Sequence, residues 1–344
     1  MADGEPVLGS LYVYAPNQIA PVFFAVAFGC SAIGHIWQCY RYKVFRLIGL
    51  HPLCAVLFTA GYALREYGAF NYLFSMQNLL VFIFSQVFIF VCPPLLELAN
   101  YHVLGRIFYY VPFLTPLPPG AVLRTFGGLM AVVEALNAVG VALAANPSSQ
   151  PSQQVLGKNL TIAAVAIQVA VIASFFALAG VFHFRIAKAG IRARAVAVPL
   201  RTLHVSMALI FVRCVYRLVE HTGHTEVRLR DMDALRRLTP LLRYEWFFYV
   251  FEASLMLINS AIWNVWNPGR YLPRSHQTHL AEDGTEVHGE DKLDERPLLK
   301  KAGNVLTFGI LWRRKDSREF RELSEYPGSR ARGAAIHRGG TAIG

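Results

Sequence analysis

Seven long apolar blocks are the feature that most restricts how this chain can fold. Each is close to the roughly 20 residues that an α-helix needs to cross a bilayer. The blocks are Asn17–Trp37, Leu47–Leu64, Met76–Leu98, Ala121–Ala144, Leu160–Phe182, Leu203–Val219 and Trp246–Trp266. With 54% hydrophobic and only 16% charged residues, the chain is too apolar for an ordinary soluble protein. We therefore predict an all-α membrane protein, a bundle of seven transmembrane helices whose backbone hydrogen bonds are satisfied internally.

These blocks divide the chain into three regions. We expect an extracytoplasmic N-terminus over residues 1–16, the seven-transmembrane domain over residues 17–268, and a largely disordered cytoplasmic tail over residues 269–344. The opening residues, Met1–Glu5, are acidic and polar, whereas a signal peptide opens with basic residues, so we expect the first block to stay in the protein. In the tail, the short apolar run Val305–Trp312 either lies on the inner leaflet or is disordered.

Basic residues beside the blocks predict the orientation, because cytoplasmic loops carry an excess of Lys and Arg. The connections after the first, third and fifth blocks are basic: they contain Arg41, Lys43, Arg46, Arg106, Arg124, Arg185, Lys188, Arg192, Arg194 and Arg201. They predict an N-terminus outside and a C-terminus in the cytoplasm. One connection disagrees, since the loop between the last two blocks should face outward and yet holds Arg228, Arg230, Arg236, Arg237 and Arg243.

Composition and motifs also exclude several kinds of protein. The net charge of +11 is explained by loops facing anionic cytoplasmic lipid, so we expect membrane lipids as partners and no nucleic acid. The five cysteines show no paired spacing and are expected to be packing thiols rather than disulfides or zinc ligands. The sequence has neither a Gly-rich loop ending in Gly-Lys-Ser/Thr nor His-Glu-x-x-His. We predict neither ATP-driven pumping, nor an enzyme, nor a cofactor.

The last two blocks carry charges of opposite sign. The sixth block contains Arg213 and Arg217 and is followed by Glu220, while the seventh follows Glu245 and contains Glu252. A charge at the centre of a span costs about 2.5–3.5 kcal/mol on insertion scales, so such residues tend to be paired and functional. The two blocks therefore indicate a polar site inside a helical bundle.

The spacing of these charges predicts their pairing. Neighbouring spans run antiparallel, and Arg213 and Glu252 each lie seven residues, or about 10 Å, deeper than a carboxylate near the outer surface. We predict that Arg213 pairs with Glu252, and that Arg217 pairs with Glu220 or Glu245. These pairs either only lock the bundle or form part of a substrate or proton site, and both interpretations stay open at this stage.

Four more polar residues lie inside apolar blocks. Glu97 follows Pro93-Pro94, where a proline break often adjoins a cavity but can equally be structural. Glu134 lies mid-block near Asn137, and a carboxylate there is protonated, partnered or facing water. Gln168 is interpreted as an interhelical hydrogen bond in preference to a ligand contact.

Two longer motifs and several short ones occur together. The longer ones are Arg213-x-x-Tyr216-Arg217-x-x-Glu220 and Glu245-x-x-x-Tyr249-x-x-Glu252, closed by Pro268-Gly269. The short ones are Tyr14-x-Pro16, Gly61-Tyr62-x-x-Arg65, Tyr101-x-x-Leu104-Gly105-Arg106, Gly157-Lys158 and Gln168. Over about Tyr12 to Gly269, this combination resembles the fungal lipid-translocating exporters, which include the aminocholesterol-resistance proteins and the sphingoid long-chain-base exporter.

Four positions depart from the pattern of that family. Phe58 stands where the family usually has a glutamate, Met130 where it has an aspartate, and Asn267 where it has a histidine. In the fourth span, Asn137 aligns with a usual glutamine. If those polar residues bind substrate, the ligand has changed or transport has been lost, and Glu134 is a hypothetical replacement for the missing carboxylate.

The resemblance implies a multi-pass protein of the plasma membrane or an internal membrane. It further implies export of amphipathic lipids, such as a sphingoid base or a sterol-like compound, or of a xenobiotic. The alternative is a seven-helix receptor-like sensor of lipid or stress without transport. A long-chain base would use a buried carboxylate for its ammonium head, whereas an anion would favour Arg213 or Arg217.

Overall fold

The protein is described by a computed structural model that covers residues 5–145, 151–191, 193–223, 231–273, 278–281 and 285–288. The α-helices in these ranges are α1 Ala20–Tyr42, α2 Phe45–Ile48, α3 Leu50–Phe70, α4 Met76–Tyr110, α5 Pro119–Ala145, α6 Pro151–Lys188, α7 Arg194–Thr222, α8 Met232–Arg236, α9 Pro240–Arg243, α10 Glu245–Phe248 and α11 Leu255–Val265. A π-helical segment, Tyr249–Ser254, joins α10 to α11. Short 3₁₀ turns cover Pro112–Leu114 and Pro268–Arg270. Two short strands, β1 Thr278–Leu280 and β2 Glu286–His288, form an antiparallel hairpin.

The prediction of an all-α membrane protein is confirmed. Within the described ranges, six helices are long and apolar enough to cross a membrane: Ala20–Tyr42, Met76–Tyr110, Pro119–Leu143, Ser152–Lys188, Arg194–Thr222 and Glu245–Arg270. The second predicted block is also a helix, α3, with 21 residues. It carries His51, Arg65 and Glu66, and it contains no stretch as apolar as those in the other six. Seven spans and the orientation of the termini therefore stay predictions.

Several helices extend well beyond the apolar blocks that predicted them. Helix α6 has 38 residues and α4 has 35. At 1.5 Å per residue, α6 is about 57 Å long, nearly twice the roughly 30 Å hydrocarbon thickness of a bilayer. Helix α4 continues without interruption through Pro93-Pro94. It begins at the N-cap Ser75, whose Oγ accepts a hydrogen bond from the Asn78 N–H at 3.1 Å.

Helix α4 lies at the centre of the bundle, where it contacts α3, α5 and α7. Helix α1 packs on α3 and α11, and α5 packs along α6. At Gly140 of α5 the approach is so close that a Cβ atom would lie 2.8 Å from the Gly157 carbonyl oxygen of α6. Large apolar side chains such as Ile19, Ile33 and Phe184 are exposed on the exterior, while many charged groups are buried. This reversal of the usual distribution is expected for a protein surrounded by lipid.

The N-terminal segment covers one end of the bundle. Tyr12, Val13 and Tyr14 pack with Leu235 and Leu238 of the α7–α10 connection. The backbone also bonds to the α3–α4 connection, where the Leu11 N–H donates to the Tyr72 carbonyl at 2.9 Å. The N-terminal segment and these two connections therefore meet at the same end.

The hairpin lies at the opposite end, against α4. Leu280 is buried in the main core, and the Tyr110 hydroxyl donates to Glu286 Oε1 at 2.6 Å. The hairpin belongs to the region predicted to be a largely disordered tail. The rest of that tail, residues 289–344 with Val305–Trp312, lies outside the described residues.

Candidate functional site

The structure brings Arg213 and Glu252 together in the bundle interior. Arg213 Nε donates to Glu252 Oε1 at 2.7 Å, and the two side chains are only 7% and 0% exposed. Arg213 lies on α7, and Glu252 lies in the π-helical segment between α10 and α11. Glu252 Oε2 has no hydrogen-bond partner in the part of the chain that the structure describes. One carboxylate oxygen at this depth is thus left for a further donor.

Arg217 is held on its own helix rather than by the next span. Its Nη1 donates to Glu220 Oε2 at 2.5 Å, one turn along α7. The guanidinium carbon lies 4.3 Å from the centre of the Phe90 ring of α4, a cation–π distance. Of the two partners left open by the sequence, the structure has Glu220.

Glu245 belongs to a separate group at the end of the bundle that the sequence predicts to face outward. We call it the outer cluster: Tyr14, Asn17, Arg65, Glu245 and Tyr249. Arg65 Nη2 donates to Glu245 Oε1 at 3.0 Å and to the Tyr14 oxygen at 3.1 Å, and Arg65 Nε donates to the Tyr249 oxygen at 3.2 Å. The Asn17 backbone N–H donates to Glu245 Oε2 at 2.7 Å. The outer cluster therefore ties the N-terminal segment to α3 and α10.

Tyr14 stays protonated in this cluster. Burial raises the pKa of its phenol above the usual range, although the nearby Arg65 acts in the opposite direction. A neutral Tyr14 leaves Glu245 as the carboxylate that balances the charge of Arg65.

Glu97 connects α4 with α6. Its Oε2 accepts from Gln168 Nε2 at 2.8 Å, and its Oε1 accepts from the Tyr101 hydroxyl. Glu97 is fully buried, and in the described ranges it takes part in no ion pair. Gln168 thus makes the predicted interhelical hydrogen bond, and its partner is an acidic residue.

A cavity of about 40 Å³ lies between α4, α5, α6 and α7, and we call it the central cavity. Its lining is largely polar and comes from four helices: Phe90, Pro94, Glu134, Asn137, Val165, Gln168, Arg213, Arg217 and His221. A buried water needs only about 10–15 Å³ of such volume, so this space accepts two or three waters or one ammonium-sized group.

The central cavity gathers most of the candidates. Glu134, Asn137, Gln168, Arg213 and Arg217 line it. Glu97, Glu220 and Glu252 do not, but each bonds directly to a residue that does. Glu245 is the candidate that the structure places elsewhere, in the outer cluster.

Two relevant residues were not singled out as site candidates by sequence reasoning. His221 lines the cavity at the end of α7, and Arg65 is the partner of Glu245. Arg65 had a detectable signal, because it directly follows an apolar block and belongs to the Gly61-Tyr62-x-x-Arg65 motif. His221 lies just beyond a block, and its position gives no comparable signal.

The chain matches the family model described as "RTA1 like protein" over residues 52–275. The chain belongs to this family. A relative from Leptosphaeria maculans, the "Lipid-translocating exporter-like protein RTA1", is 55% identical over 315 residues, which is 90% of this chain and 60% of the relative. The chain thus spans well under two thirds of the length of that relative.

More distant members of the family come from other fungi. A protein of the same name from Ajellomyces capsulatus is 29% identical over 68% of this chain and 74% of its own length. The "Probable lipid transporter atnI" of Emericella nidulans is 27% identical over 77% of this chain and 69% of its own length. No solved structure matches the chain.

Three of the four positions expected to depart from the family's pattern have packing or hydrogen-bonding roles here. Phe58 stacks on Phe28 with ring centres 4.4 Å apart, and Met130 is buried in the core. Asn267 Nδ2 donates to Gln38 Oε1 at 2.6 Å. None of these three lines the central cavity, whereas Asn137, the fourth position, and Glu134, one turn from Met130, both do.

Proposed function

We propose that this protein exports amphipathic lipids or related toxic compounds, and that the central cavity holds the polar head of the substrate. One observation carries the proposal: polar side chains from three of the four helices around it converge on one cavity inside the bundle. Fully or partly buried polar groups of this kind are costly in a membrane protein and mark substrate or ion pathways. The names of the relatives as lipid exporters or transporters support the same activity.

The charges around the cavity favour a cationic head. Arg213 and Arg217 are each held by a carboxylate. Glu97 and Glu134 are two further carboxyls that take part in no ion pair among the described residues. An ammonium group would be attracted to these carboxyls, whereas a phosphate would have to compete with Glu252 and Glu220 for the arginines. A sphingoid base or a sterol amine has the required ammonium.

The volume of the cavity limits which part of the substrate could enter it. About 40 Å³ accepts a small head group but not an acyl chain, so the tail would stay in the lipid beside the apolar exterior. We place the protein in the plasma membrane with seven spans, α3 included, an N-terminus outside and a C-terminus in the cytoplasm. In that orientation the outer cluster closes the side toward which the lipid leaves.

Lipid movement by purified protein in vesicles tests the proposal. Vesicles containing the full chain are expected to move labelled sphingoid base, and to move labelled phosphatidic acid much less. Glu134→Gln should slow the movement of the base roughly tenfold, which corresponds to about 1.4 kcal/mol of lost interaction with the ammonium. Asp233→Asn, which neutralises an exposed carboxylate on α8, is the matched control and should have no effect.

Two results would contradict the proposal in different ways. Movement of the anion in preference to the base would exclude a cationic head. Binding of the base without any movement would support the receptor-like sensor instead.

A further inference from the structure

A second group of buried polar side chains lies toward the end of the bundle opposite the outer cluster. His35 of α1, His51 of α3 and Asn259 of α11 are 0%, 1% and 0% exposed. The two histidine rings stack with their centres 5.6 Å apart, and His35 Nε2 lies 3.2 Å from the Ser260 hydroxyl. We call His35, His51 and Asn259 the histidine cluster. None of the three lines the central cavity.

The histidine cluster has an unusual number of unpartnered polar atoms. Both ring nitrogens of His51, the Nδ1 of His35 and both amide atoms of Asn259 have no hydrogen-bond partner among the described residues. A neutral imidazole has one donor and one acceptor, so His51 leaves both unused. A buried polar group without a partner loses its hydrogen bonds to water and gains none in return, so it destabilises the fold. Five such atoms on three facing helices require a small guest that both donates and accepts, and water is such a guest.

Ring packing, hydrogen bonds and helical neighbours lead from the histidine cluster toward the central cavity. The His51 ring packs against Trp263, with ring centres 4.9 Å apart, and Trp263 Nε1 donates to the Ser206 hydroxyl at 2.9 Å. Asn100 of α4 bonds to the same hydroxyl at 2.9 Å. Asn100 lies one turn from Glu97, which is joined to the cavity by Gln168.

The same line continues in the other direction to the end of α11. Gln38 lies one turn beyond His35 on α1, and its Nε2 donates to the Asn264 carbonyl at 2.8 Å. Its Oε1 accepts from Asn267 at 2.6 Å, where the chain leaves the bundle. Buried polar groups thus follow one another from the central cavity to this end.

The neighbours of His51 are almost all uncharged. Helix α1 contributes His35, and α11 contributes Trp263. Asn259 and Ser260 lie one turn before Trp263 on α11. The thiols closest along the helices are Cys54, one turn away on α3, and Cys92 of α4, whose Sγ lies 3.5 Å from the Cys54 carbonyl. No carboxylate is among these neighbours, so a proton on His51 would not be trapped by an ion pair.

We propose that the histidine cluster is a hydrated proton-binding site through which protons pass in exchange for the exported lipid. This inference rests on the proposed function. A proton bound by a carboxyl of the central cavity passes through water to the imidazoles and leaves at the end of α11. The ammonium head then takes its place at the carboxylate and moves in the opposite direction. A proton gradient, acidic outside, thereby drives export.

The test uses the full chain in vesicles with labelled sphingoid base and a trapped pH dye. A gradient of about one pH unit is a tenfold ratio of protons, so one-for-one exchange allows up to about tenfold accumulation of the base. His51→Gln, which keeps polarity but does not ionise, should lose this accumulation and the lipid-dependent proton flux while keeping downhill movement. His183→Gln, on the exposed face of α6, should keep the accumulation, the lipid-dependent proton flux and the downhill movement.

The outcomes separate this inference from the proposed function. Lipid movement that ignores the gradient in the unaltered protein overturns the inference and leaves the function standing. If no lipid moves, the proposed export function is rejected. The proton site is then tested separately, by measuring proton uptake by the purified protein on acidification. Uptake that is equal in the unaltered protein and in His51→Gln overturns the proton site. If His51→Gln is not monodisperse, His35→Gln is measured in its place.

Discussion

At the scale of single residues, the buried ion pair between Arg213 and Glu252 is expected to affect the stability of the bundle most strongly. Removing one partner of a buried pair leaves an uncompensated charge and costs about 3–5 kcal/mol. We expect Arg213→Met to lower the free energy of unfolding by that amount, and Arg213→Met combined with Glu252→Leu to regain most of it. Thermal unfolding of the purified protein in detergent measures both, with Asp233→Asn as control. A double variant as unstable as the single one would contradict the pairing.

Arg65 differs from Arg213, because its planar guanidinium group donates hydrogen bonds to several partners at once. It donates to Tyr14, Glu245 and Tyr249, and its guanidinium carbon lies 4.2 Å from the centre of the Phe248 ring. A lysine ammonium cannot reproduce this fork. We expect Arg65→Lys to cost about 1.5–3 kcal/mol of stability, the value of a hydrogen bond to a charged group. Full stability of Arg65→Lys in the same unfolding measurement would show that charge alone is sufficient.

At the scale of elements, the π-helical segment Tyr249–Ser254 sets the relation between the outer cluster and the interior pair. Glu245 precedes this segment and Glu252 lies in it. Deleting Val250, whose side chain is 43% exposed, should restore α-helical spacing and rotate one end of the helix by about 100° relative to the other. The two ion pairs could then not form together, and we expect loss of stability and of lipid movement. Val250→Ala, which keeps the residue count, should change neither.

Spacing along the chain predicts part of this arrangement. The equal depth of Arg213 and Glu252 follows from the rise per residue and the antiparallel course of adjacent spans, and the structure has that pair. The partner of Glu245 is on α3, about 180 residues away, and spacing contains no information about such a contact. The π-helical segment and the histidine cluster likewise depend on long-range packing. A single histidine in an apolar block does not indicate which helix will face it.

At the scale of the whole molecule, the ends of the described chain lie at opposite ends of the bundle. The N-terminal segment packs near the start of α4, and the hairpin packs near its last residue, Tyr110. An odd number of spans would place the two ends of the described chain on opposite sides of the membrane. We therefore expect Glu5→Cys to react with an impermeant maleimide on intact cells. Thr285→Cys should react only after permeabilisation. Both variants carry Cys30→Ala, which removes the exposed native thiol. Labelling of both positions from one side would exclude seven spans.

The close approach of α5 and α6 at Gly140 is a place where the spacing of the two helices can be changed by one substitution. Replacing Gly140 with alanine would force its new methyl group against the Gly157 carbonyl, and the two backbones would have to separate. That change would shift one wall of the central cavity and alter its width, while every ionisable side chain is kept. The shape of the cavity and its charge can thus be varied one at a time.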